Sequence, residues 1–361
     1  MPVTLKDIAE RTGVSPSVVS TVLSGRDNGT FVSESTRRKV LQVAEMLNYT
    51  PVRAGRPRGS RRLRRQHTEQ FIGVWDPEYS PYSAYLVQNL QVALREYARE
   101  QEAEAEDDFG LRLLNADDLP RLDSLGLMGL ILLSSVLLPR EAATASIPCV
   151  MVGEVDNPPR NLAQVHLDNV GAGRLLGDYL WGLGHRRIVL LAPVATPRNT
   201  QHRLQGLHSA WASQGAETTE VTWQPYDTMK TLEERDQIRR VISGLYKPGT
   251  DRASLPTALV CNDENVAAVA TQVLAELGLN VPLNVSLAGF GDTPRLAEAL
   301  TPPLTVVRQP VPEIAKAAVA ALYQSHEIQA RETQATEADN ALDISLPGLL
   351  ITRASCAPPQ A

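Results

Sequence analysis

The sequence predicts a small all-α helix-turn-helix headpiece followed by an α/β body of two lobes, each a doubly wound parallel sheet. Three observations carry this reading. The 361 residues suffice for two or three domains at roughly 150 residues each. Residues 1–70 hold 13 Lys and Arg against 6 Asp and Glu, whereas the remainder holds 22 against 35. A basic head on an acidic body points to a polyanion partner for the head alone. From Phe71 onward, continuous apolar runs alternate with segments of helical period, as in parallel α/β sheets.

Other classes are excluded early. No uncharged apolar run approaches about 18 residues, so no transmembrane helix and no membrane partner are expected. The start, Met1-Pro2-Val3-Thr4, lacks an apolar signal stretch, which leads us to expect a cytoplasmic protein. Cys149, Cys261 and Cys356 are widely spaced without a CxxC pair. They argue for reduced thiols rather than a disulfide framework or zinc site, and no metal or cofactor is expected.

The head is read element by element. Thr4-Leu5-Lys6-Asp7 has the form of a capping box that starts a first helix. Ile8 and Ala9 supply its apolar stripe, and Gly13 ends it with the positive φ that a tight turn needs. Ser15 can cap a second helix whose first position is Pro16, where a missing amide costs nothing. There Val19, Val22 and Leu23 are expected inward, leaving Ser17, Val18, Ser20 and Thr21 outward. A third helix is expected from Ser33, with Val40, Ala44 and Leu47 at helical spacing. Thr36, Arg37 and Lys39 lie near its start, where amides and cations suit phosphate contacts. Two short helices joined around a glycine are a DNA-binding helix-turn-helix pattern, and seven arginines between Arg53 and Arg65 follow it.

In the body, Phe71–Trp75, Leu127–Leu133, Cys149–Val152, Ile188–Ala192, Thr257–Cys261 and Val285–Phe290 read as buried strands. Tyr85–Tyr97, Leu175–Trp181, Leu204–Trp211, Val266–Leu277 and Ile314–Tyr323 read as helices. Ligands of such sheets bind beyond the carboxyl ends of the strands. Glu100–Asp108 and Gln324–Asn340 read as surface loops or solvated helix ends.

These residues resemble the LacI–GalR family of bacterial transcriptional repressors. In the head the likeness rests on Thr4-Leu5-x-Asp7-Ile8-Ala9, Gly13-Val14-Ser15, Val19-Ser20-x-Val22-Leu23 and Leu47-Asn48-Tyr49-x-Pro51. In the body it rests on Asp168-Asn169-x-Gly171, Gly184-His185-Arg186-Arg187-Ile188, Arg203-x-x-Gly206, Asn262-Asp263 and Gly289-Phe290-Gly291-Asp292. The resemblance implies a periplasmic-binding-protein-like body and a homodimer on a near-palindromic double-stranded operator. Residues 15 to 21 would enter the major groove, with Thr4 and Leu5 completing the DNA-binding set. It also implies a hinge helix whose leucine wedges into the minor groove. Arg61 and Leu63 in Ser60-Arg61-Arg62-Leu63 fit that hinge best, while an ungapped reading puts Arg58 at the wedge. Val18 and Thr21 depart from the usual family residues, so base preference does not carry over.

The boundaries expected are a headpiece at 1–52, a basic hinge at 53–70 and an effector-binding and dimerisation domain at 71–361. Within the body, lobe 1 covers about 71–166 and 309–345, and lobe 2 about 168–306 and 347–354. Candidate effector contacts are Tyr82, Glu154, Arg203, Tyr226, Asn262 and Asp292. Each has a plainer alternative: a surface charge for Arg203, a helix cap for Asn262 or Asp292, a loop aromatic for Tyr226. His185 is read as structural. Family members that bind simple sugars often carry carboxylates at the positions of Gly291 and near Gly153, and both are absent, although Glu154 is adjacent. With Arg198, His202 and Arg203 close together, the effector is expected to be a sugar, a sugar derivative or a phosphorylated metabolite. The function expected is a repressor whose DNA affinity is set by a small molecule between the lobes. The rival is an enzyme on a doubly wound scaffold with a basic tether, but GxSxG, GxxxxGK[ST] and HExxH are all missing.

Overall fold

The computed structural model describes residues 5–24, 33–47, 70–77, 79–100, 109–133, 138–159, 161–193, 198–216, 221–226, 231–331 and 342–360. The chain divides into two compact units, Met1–Arg65 and Gln66–Ala361. In the first, α1 (Leu5–Thr12), α2 (Pro16–Ser24) and α3 (Glu34–Met46) enclose a core of Ile8, Ala9, Val19, Val22, Val40 and Ala44. Gly13 turns the chain at φ +73° between α1 and α2. The Ser15 hydroxyl accepts from Val18 N at 3.4 Å and Ser33 accepts from Thr36 N at 3.2 Å, so both serines cap their helices.

The second unit holds two six-stranded sheets. Lobe 1 is built on β1 (Gln70–Trp75), β2 (Phe109–Leu114), β3 (Leu127–Leu132), β4 (Cys149–Val152), β5 (Leu162–Leu167) and β11 (Asp343–Leu346). Their order is β11-β5-β4-β3-β1-β2, parallel throughout. Helices α4 (Pro81–Glu100) and α11 (Val311–Arg331) bury Leu86, Leu90, Leu94, Ile314 and Leu322 against it. A short α5 (Arg140–Thr144) adds Ala142 to the opposite face.

Lobe 2 has β6 (Ile188–Pro193), β7 (Val221–Tyr226), β8 (Ala258–Cys261), β9 (Ser286–Gly291), β10 (Thr305–Arg308) and β12 (Leu349–Ile351). They run in the order β12-β10-β9-β8-β6-β7, with only β12 antiparallel. On one face α6 (Asn169–Gly182) and α7 (Arg198–Ser213) bury Leu176, Leu180, Leu207 and Trp211. Helices α8 (Thr231–Leu245) and α9 (Glu264–Glu276) cover the other face with Ile238, Ile242 and Leu274. A one-turn α10 (Leu296–Ala299) follows β9.

The chain crosses between lobes after β5, after β10 and after β11. β5 stays in the first sheet to Leu167, β10 in the second to Arg308 and β11 in the first to Leu346, one or two residues beyond the expected lobe limits. The C-terminal tail adds to lobe 2. Ser355 Oγ donates to Leu287 O and accepts from Thr305 N, and Ala357 N donates to Ser286 Oγ. β1 begins at Gln70, inside the span read as hinge, and the rest of that hinge lies outside the described residues.

Candidate effector cleft and nucleic-acid headpiece

In the headpiece, α2 exposes Pro16 at its start, next to exposed Ser15. Ser17, Ser20 and Thr21 lie on this helix, but their side chains are outside the described residues. Val18 and Leu5 are half-buried and pack partly against the helical core. Thr36 shares a hydrogen bond with Ser33 at 2.8 Å at the start of α3, near half-buried Arg37 and exposed Lys39. Thr4, Arg61 and Leu63 lie outside the described residues.

In the body, residues that follow strand ends converge on a cavity of about 200 Å³ between the lobes. Its lining includes Tyr82, Glu154, His166, Arg203, Asn262 and Glu264. A larger groove of about 570 Å³ runs along α7 and β7 past Leu204, Ala212 and Trp223. It is more open than the interlobe cavity, and its His208 Nε2 is held against Val221 O. The interlobe cavity is therefore the better ligand site.

Arg203 anchors the lobe 2 wall. It is 5% exposed, lies 4.5 Å above the Phe290 ring, and donates from Nε to Asn169 Oδ1 and from Nη1 to Asn262 O and Oδ1. Burial lowers its pKa to about 10 against the pull of Asp263, Glu154, Tyr82 and Glu264, so it stays charged at neutral pH. The local sequence explains its position. Asp168 caps α6 through Gly171 N and leaves Asn169 next to the guanidinium. Gly173 and Gly206 let α6 and α7 touch backbone to backbone: a Cβ on either would come within 2.1 Å of the facing carbonyl.

Asn262 does not cap α9. Asp263 does, accepting from Asn265 N and Val266 N, while Asn262 Oδ1 also accepts from Thr200 Oγ1 at 3.1 Å. Asp292 also departs from expectation. Its carboxylate is 5% exposed, outside the cavity lining, and is held by Arg308 at 2.6 Å and Arg353 at 2.9 Å. The two arginines come from β10 and the C-terminal tail, and Asp292 lines a separate pocket of about 540 Å³ with Tyr85, Arg295 and Glu313. Tyr226 ends β7, and its side chain is outside the described residues. His185 is fully buried, with Nδ1 2.9 Å from Thr257 Oγ1; burial lowers its pKa to about 4, as a structural role requires.

The lobe 1 wall is ionisable. Glu154 is 3% exposed and receives His166 Nδ1 at 2.8 Å; His166 Nε2 lies 2.8 Å from Asp343. Burial would raise the Glu154 pKa, but His166, His202 and Asn169 hold it below its ordinary value. Burial would likewise lower His166, yet its bonds to Glu154, Leu167 O and Asp343 raise it to about 9. His202 Nδ1 reaches across from α7 to within 3.1 Å of Glu154, and Arg198 pairs with Asp156. Thus two of the three basic residues grouped in the sequence, Arg198 and His202, face lobe 1 carboxylates. His166 and Glu264 were missed as site residues. Polar groups interrupting the apolar run Leu162–Leu167 were the available signal for the first, and a carboxylate directly after a strand end for the second.

A helix-turn-helix unit joined to a two-lobed α/β body with an interlobe cavity defines a class of ligand-linked DNA-binding regulators. Residues 4–52 match the family model for bacterial regulatory proteins of the lacI family, and residues 178–356 match the periplasmic binding protein-like domain. The HTH-type transcriptional regulator of the aml 5′ region of Streptomyces limosus is 30% identical over 347 residues, 92% of this chain and 90% of that protein. The chain belongs to the LacI family and is a DNA-binding transcriptional regulator. The transcriptional regulator CelR in complex with cellobiose shares the fold at 24% identity and TM-score 0.61, covering 98% of this chain and 99% of its own. The lac repressor dimer bound to operator and the anti-inducer ONPF does so at 22% and 0.59, covering 99% and 100%.

Proposed function

We propose that the chain is a homodimeric repressor in the cytoplasm, acting without catalysis, whose affinity for a near-palindromic operator is set by a small molecule in the interlobe cavity. The observation that carries this is Arg203: a buried, charged guanidinium beside Asn262 at an interlobe cavity, in a chain that opens with a helix-turn-helix. A guanidinium suits hydroxyl recognition, and its bonds to Asn169 and Asn262 fix its orientation. Tyr82 and Glu154 face it from lobe 1 as further effector contacts, and Tyr226 is a candidate stacking residue. Bound cellobiose in CelR and the operator-bound dimer of the lac repressor support a sugar-type effector and a paired headpiece. Two half-sites supply the contact area that one helix-turn-helix lacks. Residues 15 to 21 read bases, Arg37 and Lys39 contact phosphate, and Arg61 and Leu63 belong to the hinge between headpiece and body.

The test is operator selection from random DNA with the full chain, followed by titration with and without candidate sugars. A bound sugar shifts operator affinity only as far as its affinities for the two lobe arrangements differ, typically about 5- to 150-fold. A sugar that binds the cleft without changing operator affinity refutes the effector reading. Ser17 variants that keep the original base preference refute the recognition-helix assignment.

A further inference from the structure

Glu154 and His202 meet across the cleft from different lobes. Glu154 follows β4 of lobe 1 and is 3% exposed. His202 lies one turn into α7 of lobe 2, and its side chain is 27% exposed. Its Nδ1 is 3.3 Å from Glu154 Oε1 and 3.1 Å from Oε2, the oxygen without a hydrogen-bond partner among the described residues. One turn earlier on the same helix, Arg198 pairs with Asp156. Both contacts tie lobe 1 directly to α7.

Behind Glu154 the line of charges continues. His166 Nδ1 sits 2.8 Å from Glu154 Oε1, and its Nε2 is 2.8 Å from Asp343 on edge strand β11. Two carboxylates and one imidazolium leave one negative charge uncovered on lobe 1, and a protonated His202 covers it. The other charged or titratable groups around this bridge are Asp156, Tyr82 from α4, Asp263 and Glu264 at the start of α9, and Arg198 and Arg203 on α7 itself. From α6 comes the neutral Asn169. Arg203 also attracts Glu154, but it is charged throughout the neutral range and adds a constant pull.

A histidine ordinarily changes charge between about pH 5 and 8. His166, raised to about 9, stays largely charged there, and His185, lowered to about 4, stays neutral. Glu154, held below its ordinary value, stays anionic. That leaves His202, the solvent-accessible member of the bridge, to change charge. A hydrogen bond from a charged donor is about twice as strong as one from a neutral donor.

We propose that His202 is a proton-operated latch between the lobes: charged, it closes on Glu154 and holds the cleft shut; neutral, it lets the lobes part. Resting on the effector reading above, lobe closure set by pH then alters operator affinity without an effector. Residues 1–52 contain no histidine, so the headpiece itself supplies no such response.

The test follows amide hydrogen exchange of the full-length protein at 153–157 and 198–204 from about pH 5 to 8, corrected for the intrinsic pH dependence of exchange. Protection in the parent should fall by about fivefold or more across this range. His202→Gln should be weakly protected throughout. His202→Lys, which keeps a positive charge, should stay protected throughout. Glu154→Gln should erase the pH response from the other lobe. A flat parent profile overturns the latch. So do His202 variants that keep the parent's slope, since a merely structural histidine would lower protection equally at every pH. Operator affinity of the parent should follow the same pH profile, and that of His202→Lys should not. If protection responds as expected but operator affinity does not, the latch stands and the effector reading fails, because lobe closure then does not reach the headpiece.

Discussion

The two walls of the interlobe cavity are built on opposite principles. On lobe 2, Arg203, Asn169, Asn262 and Asp263 bond to one another or to helix amides, so the wall is set before any ligand arrives. On lobe 1, Glu154 keeps one oxygen unsatisfied and His166 carries a proton that depends on its neighbours. The difference teaches that one lobe satisfies its polar groups within the protein, whereas the other holds the titratable pair Glu154 and His166. A preorganised network resists distortion because each buried polar group lost leaves another unpaired.

The largest effect should come from breaking the lobe 2 network. Arg203→Ala leaves Asn169 Oδ1 and Asn262 O without their donor and opens a void over Phe290. We expect a stability loss of about 2–4 kcal/mol, read by urea denaturation, together with loss of the ligand response. A variant as stable as the parent would show that lobe 2 is not braced by this residue, and the contrast between the walls would vanish.

A smaller effect should mark the titratable wall. His166 has a folded pKa of about 9, above its ordinary 6.5. Its ion pairs therefore contribute fully below about pH 6.5 and are lost as pH rises through about 9, a change on the order of 3 kcal/mol. Glu154, held below 4.5, adds the complementary limb, with its contribution lost under acid. Melting temperature should fall between pH 6.5 and 9, and His166→Gln should flatten that slope. An unchanged slope in the variant assigns the alkaline loss to another group.

The smallest effect belongs to the rim. Arg198 and Asp156 join the lobes, but their side chains are 41% and 68% exposed. Arg198→Ala should cost less than about 1 kcal/mol and shift ligand affinity only slightly, less still at high salt. A large loss would mean that closure depends on the exposed rim rather than on the buried walls.

Much of this was legible in the residues themselves. Gly13, Ser15 and Ser33 announced the turn and the caps of the headpiece, because caps and turns are decided within three or four residues. The buried central strands were equally plain, being apolar on both faces. Edge and interrupted strands were not. Leu113 of β2 is 64% exposed, β5 contains Gln164 and His166, and β7 reads Val-Thr-Trp-Gln-Pro-Tyr, so none shows a continuous apolar run. Neighbouring strands supplied the hydrogen bonds that local pattern did not advertise.

By itself the sequence determined the helix-turn-helix and the alternation that yields two parallel sheets. These depend on short-range propensity and capping, which act over a turn or two. Only the tertiary structure decided which charges meet. Asp292 lies outside the cavity lining and pairs with Arg353, 61 residues away. Against burial, His166 is held protonated chiefly by Glu154, to which Asp343, 177 residues along the chain, adds a smaller share. Glu264 occupies the space beside Gly291 because β8 and β9 are paired neighbours. Electrostatic pairing is set by distance in space, and three crossings between the lobes separate that distance from any spacing along the chain.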